Sequence, residues 1–493
     1  MPRIIGELHP MNSLRLSDIA IAIDGKLVGE DSIADFVFTD SRKAKGSVNK
    51  GKGLFIALKG DKFDGHDFIK QLGEGSVAGV IVETPQSIDF AQIIVKDTRI
   101  ALGDLAKLNR SLCNAKFIAV TGSSGKTTVK EMIASILSEC GNTCATLGNL
   151  NNDIGAPLTL LEIDKSADYA VIELGANHAG EIAYTSAITK PHVALVNNVS
   201  AAHIEGFGSL EGVASAKSEI YASLDRDGTA ILNIDDKFSS FFRTKILSNI
   251  ITYSVINEAD VFATDIYLND DQSTRFNLNF HAEQVEVTLP LVGQHNVANA
   301  LAAACCCIAL GISLEKVAKG LEKTPSVSGR LDINKLENGC VVIDDSYNAN
   351  LGSVKAAIDL LSNYQTKQIL VLGDMAELGD LSKKYHQEIG VYAQAKGIDR
   401  LFTIGTDSKN SQVAYSKENS NNKFDHTKLS DHFYNKNELI IKLIKEAIDG
   451  VTILVKGSRS SRMEEIVEAL TKSKVKVLGE QMVGDRASLV GEQ

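Results

Sequence analysis

The sequence predicts an α/β protein of three domains, on three observations. Apolar runs of four to six residues alternate with segments of helical period along most of the chain, which is the pattern of largely parallel sheets covered on both faces. The 493 residues divide into about three domains at roughly 150 residues each. The runs fall into three stretches, which puts the domains at residues 1–113, 114–325 and 326–493.

Residues 1–113 read as mixed α/β, with strand-like pieces at Phe36-Val37-Phe38, Leu54-Phe55-Ile56-Ala57-Leu58 and Val77-Ala78-Gly79-Val80-Ile81-Val82. The second stretch opens with the strand Phe117-Ile118-Ala119-Val120. It continues through Asp168-Tyr169-Ala170-Val171-Ile172-Glu173 and His192-Val193-Ala194-Leu195-Val196-Asn197, a mainly parallel sheet. From about Ile250 to Leu291 the period becomes two, as in Gln284-Val285-Glu286-Val287-Thr288-Leu289, which predicts an antiparallel portion. Gly293 to Gly311 predicts an Ala-rich buried helix. The third stretch alternates again, with strands at Val341-Val342-Ile343, Ile369-Leu370-Val371-Leu372, Leu401-Phe402-Thr403-Ile404 and Val451-Thr452-Ile453-Leu454-Val455, a Rossmann-like region. The polar stretch from Asp407 to Ser430 reads as a surface loop.

Composition narrows the function classes. An apolar content of 44% with 23% charged residues is that of a soluble globular protein. A net charge of −11 argues against a domain-wide basic surface, so no nucleic-acid partner is expected. Met1-Pro2-Arg3-Ile4-Ile5-Gly6-Glu7 has no apolar signal core, and no run of about 18 apolar residues exists to span a membrane. Among the seven cysteines, Cys305, Cys306 and Cys307 are consecutive in a helix and point in different directions, and Cys140 and Cys144 lack a second pair. Small core-filling thiols in a reducing cytoplasm are the expectation, with no membrane contact and a monomeric state.

The chemistry concentrates in Thr121-Gly122-Ser123-Ser124-Gly125-Lys126-Thr127-Thr128. A strand precedes it. Val129, Met132, Ile133, Ile136 and Leu137 follow at helical spacing, and Gly141 stands where a helix C′ glycine is expected. Strand, glycine loop, Lys, Thr and helix is the arrangement that holds a nucleotide's phosphates. Loop amides and the helix N-terminus face the anion, the lysine adds charge, and a hydroxyl can ligate Mg²⁺. Only Ser123 and Ser124 separate Gly122 from Gly125, against four residues in the usual pattern, and Val120 stands where the first glycine would be.

Other candidates surround it. Glu173 ends a strand before the turn Leu174-Gly175-Ala176-Asn177, where it can reach Mg²⁺ directly or through water, or simply face solvent. His203, in Asn197-Asn198-Val199-Ser200-Ala201-Ala202-His203, follows another strand and reads equally as a metal ligand or a structural histidine. Lys217, by its local pattern alone, is a helix-surface lysine. Arg330 could clamp a phosphate, and Asp344-Asp345-Ser346-Tyr347-Asn348-Ala349-Asn350 after a strand could take a ribose hydroxyl. Asn422-Lys423-Phe424-Asp425 fits the guanine-reading pattern of GTPases but has no apolar strand before it, and reads as chance.

With these residues in view, the chain resembles the Mur ligase family of cell-wall enzymes along nearly its whole length. The shortened loop Thr121–Thr128 is that family's form. The resemblance extends to Gly148-Asn149-Leu150-Asn151-Asn152-Asp153-Ile154-Gly155-Ala156-Pro157, Glu173–Asn177, the His203 loop, Lys217, Gly293-Gln294-His295-Asn296-Val297-Ala298-Asn299-Ala300, Arg330 and the Asp345 cluster. Four segments, Asp344–Asn350, Leu372-Gly373-Asp374-Met375-Ala376-Glu377-Leu378-Gly379, Asp40-Ser41-Arg42 and Asp64-Gly65-His66-Asp67-Phe68, resemble the branch that adds D-alanyl-D-alanine to a UDP-N-acetylmuramoyl tripeptide. The Asp-Asn-Pro-Arg motif of the branch adding the third residue is absent. Leu351 replaces the family's usual proline, and residues 43–53 look longer than its usual turn.

The resemblance implies an ATP-dependent ligase working through an acyl phosphate, with a uridine-nucleotide domain, a P-loop ATPase-like central domain and a Rossmann-like third domain. It implies Lys126, Lys217, His203 and Arg330 as catalytic. Gly122, Ser123, Ser124, Gly125, Lys126, Thr127 and Thr128 would hold the phosphates, Asn296 and Asn299 would lie near the adenine, and Arg330, Asp345 and Tyr347 would touch the nucleotide from the third domain. Ser41, Arg42, Gly65 and His66 would hold the UDP substrate, and Asn151 and Asn152 its acyl end. Two Mg²⁺ ions would rest on Thr127, Thr128, Glu173, His203 and Lys217, the last carbamylated by CO₂ and so turned from cation to anion. The alternatives are another Mur-type or a folylpolyglutamate-type amide ligase, and a nucleotide-binding module without catalysis.

Overall fold

The computed structural model describes residues 11–42, 51–60, 62–72, 77–202, 204–269, 272–421 and 429–472. Residues 43–50 of the long turn, His203, and Asn422-Lys423-Phe424-Asp425 lie outside the described residues. The chain forms two compact units, Met1–Val199 with Gly206–Pro325, and Ser200–Glu205 with Ser326–Gln493.

The first unit holds two main sheets. The smaller has five strands in the order Lys26–Val28, Gln92–Ile94, Val77–Val82, Gly53–Ile56, Phe36–Phe38, all parallel except the first pair. Val77–Val82 is buried at every position, as a central strand covered on both faces must be.

The larger sheet has nine strands: Thr143–Ala145, Tyr169–Glu173, Lys116–Thr121, Val193–Val196, Thr229–Asn233, Asn249–Ser254, Val261–Leu268, Thr274–Phe280 and Glu283–Leu289. The first seven pair in parallel. Antiparallel pairing begins only between Val261–Leu268 and Thr274–Phe280, later than the expected start near Ile250. Asn249–Ser254 is parallel to Thr229–Asn233 from Asn249 to Tyr253, so its local sequence yields to the crossover that delivers it.

The helix Lys126–Ser138 buries Val129, Met132, Ile133, Ile136 and Leu137 completely, in one core with the Ala-rich helix Gln294–Ile308. Cys305, Cys306 and Cys307 all sit in that core. Three consecutive residues can be buried only on a helix covered all round. Gly141 is not the left-handed residue expected: the helix ends at Ser138 with Glu139 as its C-cap. Gly141 instead lets Asp168 approach, since a Cβ there would lie 2.6 Å from the Asp168 carboxylate.

The second unit holds a six-stranded sheet: Asp332–Lys335, Val341–Asp345, Val451–Lys456, Lys367–Gly373, Arg400–Ile404 and Leu429–Phe433, parallel apart from the first pair. Separate cores cover its two faces. The surface loop expected from Asp407 to Ser430 is instead mostly helix, Lys409–Asn421. Only Ser411 and Tyr415 of its described side chains are buried, too few to leave an apolar stripe for a hydrophobicity reading. The Ser411 hydroxyl donates to the His386 carbonyl at 2.6 Å, and the fully buried Tyr415 donates to the Ile398 carbonyl at 2.5 Å. Among the described residues no helix is long and apolar enough to cross a membrane, and all seven cysteines are free thiols.

Candidate active site

Parallel register brings three strand ends to one edge of the nine-stranded sheet. Lys116–Thr121 lies between Tyr169–Glu173 and Val193–Val196, so the glycine loop, Glu173 and Asn197 emerge side by side at the carboxyl edge, where open α/β sheets bind ligands. Gly125 is the N-cap of the loop's helix at φ +75°, and a Cβ on it would lie 2.6 Å from Asn299 Oδ1 and 2.7 Å from Asn197 Nδ2. Only glycine combines that backbone with that approach.

Two asparagines that the motif reading passed over pin the loop. Asn198 accepts from the Ser124 N–H at 2.9 Å and from its hydroxyl at 3.1 Å, and the Asn198 carbonyl accepts from the Ser123 N–H at 3.0 Å. Asn197 Nδ2 donates to the Ser124 carbonyl at 3.1 Å and to Asn299 Oδ1 at 2.9 Å. Asn299 donates on to Asn296 Oδ1 at 3.1 Å, and Asn296 to the Val292 carbonyl at 2.8 Å. The buried Tyr253 hydroxyl donates to Asn197 from below, at 3.2 Å. So the two asparagines expected near the adenine form a buried amide chain whose far end touches the phosphate loop. The available signal was the Asn-Asn pair closing an apolar strand.

Lys126 begins the helix, and its Nζ donates to the Gly122 carbonyl at 2.9 Å. Thr127 is buried and donates its hydroxyl to Glu173 Oε2 at 2.9 Å, while Thr128 is half-buried in the same turn. Glu173 is 1% exposed, and its other oxygen accepts from Asn151 Nδ2 at 2.8 Å. The structure thus joins a residue expected at the metal to one expected at the acyl substrate. Asn152 turns its carboxamide oxygen to the Gly155 N–H, 2.8 Å away at the head of the helix Gly155–Leu161.

Lys217 is not a surface lysine. It is 2% exposed, on the helix Leu210–Ser218, whose neighbours Val213, Ala214 and Ala216 are buried with it. Burial, and then the like charge of Lys126, pull its pKa from 10.5 to about 7.

Among the described residues no three His, Cys, Asp or Glu side chains gather as a metal cage. A carboxylate and a hydroxyl side by side at a phosphate loop still suit Mg²⁺, a hard cation usually held by one or two protein oxygens plus substrate phosphates.

Of the residues expected at the UDP substrate, Gly65 is required by packing, since a Cβ would lie 2.8 Å from the Ala57 backbone. His66 uses both ring nitrogens: Nε2 accepts the Glu83 N–H at 3.0 Å, so Nδ1 carries the proton and donates to Asp64 at 2.5 Å. Ser41 is half-buried and next to it Arg42 is exposed, forked onto Asp40 at 2.7 and 2.9 Å.

In the second unit the Arg330 guanidinium stacks over the Tyr347 ring at 4.4 Å, and the Tyr347 N–H donates to the Gly329 carbonyl at 3.0 Å. Asp345 pairs with the buried Lys456 at 2.5 Å, and Lys456 also donates to the Asn348 carbonyl at 3.0 Å. Burial raises the Asp345 pKa and Lys456 opposes the rise.

Comparison with known proteins follows the same geometry. A family described as the Mur ligase middle domain matches residues 120–307, and one described as Mur ligase, glutamate ligase domain matches residues 329–459. A UDP-N-acetylmuramoyl-tripeptide–D-alanyl-D-alanine ligase of Escherichia coli K12 is 45% identical over 467 residues, 94% of this chain and 99% of the relative. The chain belongs to the Mur ligase family. The similarly named ligase of Bacillus subtilis 168 is 36% identical over 469 residues, 93% of this chain and 98% of its own. A crystal structure of MurF from Acinetobacter baumannii matches with a TM-score of 0.86 at 37% identity, covering 94% of this chain and 99% of that one. A MurF ligase from Thermotoga maritima in complex with ADP matches with a TM-score of 0.78 at 25% identity, covering 88% and 97%.

In this Mur ligase, the departure at Leu351 falls on the first residue of the helix Leu351–Ser362. Proline is favoured there because that N–H needs no helical partner, and leucine fits the same position. Asn350 and Ser353 close a capping box around it.

Proposed function

We propose that this Mur ligase uses ATP to join D-alanyl-D-alanine to the C-terminal carboxylate of a UDP-N-acetylmuramoyl tripeptide, in peptidoglycan precursor synthesis. One observation carries the reading: Lys126, the Thr127–Glu173–Asn151 chain and the buried Lys217 gather at a single sheet edge, in a chain of this family.

A carboxylate resists an amine because it is a poor electrophile with a poor leaving group. Its oxygen attacks the γ-phosphorus of ATP, and ADP leaves with the electron pair of the broken bond. The dipeptide's amine then attacks the acyl phosphate carbon, and the tetrahedral intermediate expels phosphate, with loss of the amine's proton. With the Ser123 and Ser124 N–H groups taken by Asn198, the N-terminus of the helix Lys126–Ser138 at Gly125 orients the phosphates, and Lys126 neutralises charge on the moving phosphoryl group, where preorganised electrostatics contribute most. Asn151, with Asn152 beside it, orients the peptide carboxylate next to Glu173. When bound, Mg²⁺ would offset phosphate charge and polarise the transferring group; Thr127, Thr128 and Glu173 would hold it, together with His203 and Lys217 for a second ion.

We further propose that Lys217 is carbamylated. An ordinary lysine at pH 7 is neutral in about one molecule in 3,000, and one with a pKa of about 7 in about half. Only the neutral amine attacks CO₂. The carbamate anion would also replace like-charge repulsion of Lys126 with attraction.

We assign residues 1–113 to the uridine substrate through Ser41, Arg42, Gly65 and His66, residues 114–325 to ATP and catalysis, with Asn296 and Asn299 toward the adenine, and residues 326–493 to nucleotide contacts through Arg330, Asp345 and Tyr347. We also propose a cytoplasmic location, which the free thiols support, and a monomer with no membrane or nucleic-acid partner. ADP formation against a panel of UDP-muramoyl peptides, with and without D-alanyl-D-alanine, tests the assignment. Turnover that needs both the tripeptide and the dipeptide is expected; turnover with neither dependence would refute it.

A further inference from the structure

Lys130 is a buried cation that the mechanism above does not use. It is 2% exposed, one helical turn beyond Thr127 on the helix that follows the phosphate loop. Residues three apart on a helix share a face. Its Nζ donates to the Thr146 carbonyl at 2.6 Å and pairs with Glu131 at 2.6 Å. Thr146 is fully buried just past the strand Thr143–Ala145. Its N–H donates to the Val171 carbonyl at 3.0 Å, extending the parallel ladder by one residue. Its hydroxyl then accepts the Glu173 N–H at 3.0 Å, taking the place of a ladder carbonyl where the strand has ended.

These contacts close a ring. It runs from the helix through Lys130 to Thr146, from Thr146 to Glu173, and from Glu173 through Thr127 back to the helix. Asn151 hangs from the second oxygen of Glu173. We propose that Thr146, held in place by Lys130, is a positioning residue that aims the Glu173 carboxylate between the hydroxyl of Thr127 and the amide of Asn151. This rests on the nucleotide and Mg²⁺ reading of the site. Mg²⁺ demands near-ideal octahedral geometry, so a ligand whose backbone loses its anchor binds it less well, and losing such outer contacts typically weakens metal affinity 10–100-fold.

The test uses the full chain and needs no turnover. Binding of an unhydrolysable ATP analogue is measured by calorimetry over a Mg²⁺ series, with thermal melting of each variant. Thr146→Val, which keeps shape and removes the hydroxyl, should raise the Mg²⁺ needed for half-maximal effect by about 10-fold. Thr146→Ser, which keeps the hydroxyl, should stay within about 2-fold of the parent. Lys130→Met should shift it in the same direction by less, and it carries the test if Thr146→Val does not fold. An unmoved Mg²⁺ requirement in the folded variants, or Thr146→Ser as impaired as Thr146→Val, overturns the positioning role alone. An unsubstituted chain that binds no analogue at any Mg²⁺ concentration overturns the function reading beneath it.

Discussion

Two buried lysines, one in each unit, show how surroundings decide what a charged side chain does. Lys456 ends a strand of the six-stranded sheet and is 2% exposed, as is Lys217 in the first unit. Lys456 meets the Asp345 carboxylate and a backbone carbonyl, so its burial is compensated. What acts on Lys217 is burial and the repulsion of Lys126, and no carboxylate among the described residues offsets them. A buried lysine with a carboxylate partner is held in place by it. One without a counter-charge has its pKa pulled down toward neutrality. Both are lysines after apolar stretches, and nothing local tells them apart.

The sharpest way to test this contrast is Lys126→Ala, which removes the like charge facing Lys217. Phosphoryl transfer should fall by at least about 100-fold, as when one preorganised charge-stabilising donor is lost. ADP release measures that loss, and an unchanged circular dichroism spectrum should show the fold intact. Ligation at the parent rate would break the assignment.

Next in size is Lys217→Ala, expected to abolish most ligation and to recover part of it in formate or acetate, which can stand in for the carbamate. No recovery at any concentration would remove the carbamate from the mechanism. Lys217 also has a stability signature. Its pKa is lower in the folded chain, about 7 against 10.5, so the unfolded chain binds the extra proton between those values. The contribution of Lys217 to stability must therefore rise with pH across about 7 to 10.5. In CO₂-free buffer, Lys217→Met should flatten that rise in a melting series, and an unaltered slope would contradict the burial effect.

For the paired lysine the expectation reverses. Asp345→Asn leaves Lys456 buried without its counter-charge and should destabilise its unit by about 3 kcal/mol, read by denaturant unfolding. A loss near zero would show that Lys456 tolerates burial alone, and the contrast would fail.

The smallest effect belongs to Glu139, at the surface between Lys319 and Lys323. Its hydrogen bonds to both lysines hold its pKa at about 2, below the 4.5 of an unperturbed glutamate. The stability it contributes is thus present above pH 4.5 and lost as pH falls toward 2. Glu139→Gln should move Tm at pH 7 by at most about 2 °C. A larger shift would mean that exposed pairs count here as buried ones do.

Much of the site was legible because its chemistry is local. The glycine loop sits between a strand and a helix, so Gly125, Lys126 and Thr127 declare themselves within eight residues. Glu173 was legible as a strand end. Lys217, Asn197, Asn198, Thr146 and Lys130 were not, since each acts through a partner 16 or more residues away, such as Thr146 for Lys130. The helix Lys409–Asn421 was missed for a related reason: its buried contacts are a serine and a tyrosine bonded to carbonyls, which leave no apolar stripe.

Taken alone, the order of residues determined most of the succession of strands and helices, the phosphate-holding loop and the family, because periodicity and short motifs are properties of neighbours along the chain. Tertiary structure decided which buried lysine has its pKa pulled down, which asparagines grip the loop and which groups bond Glu173. Desolvation and hydrogen bonding across a sheet depend on what lies nearby in space, and strand register sets that.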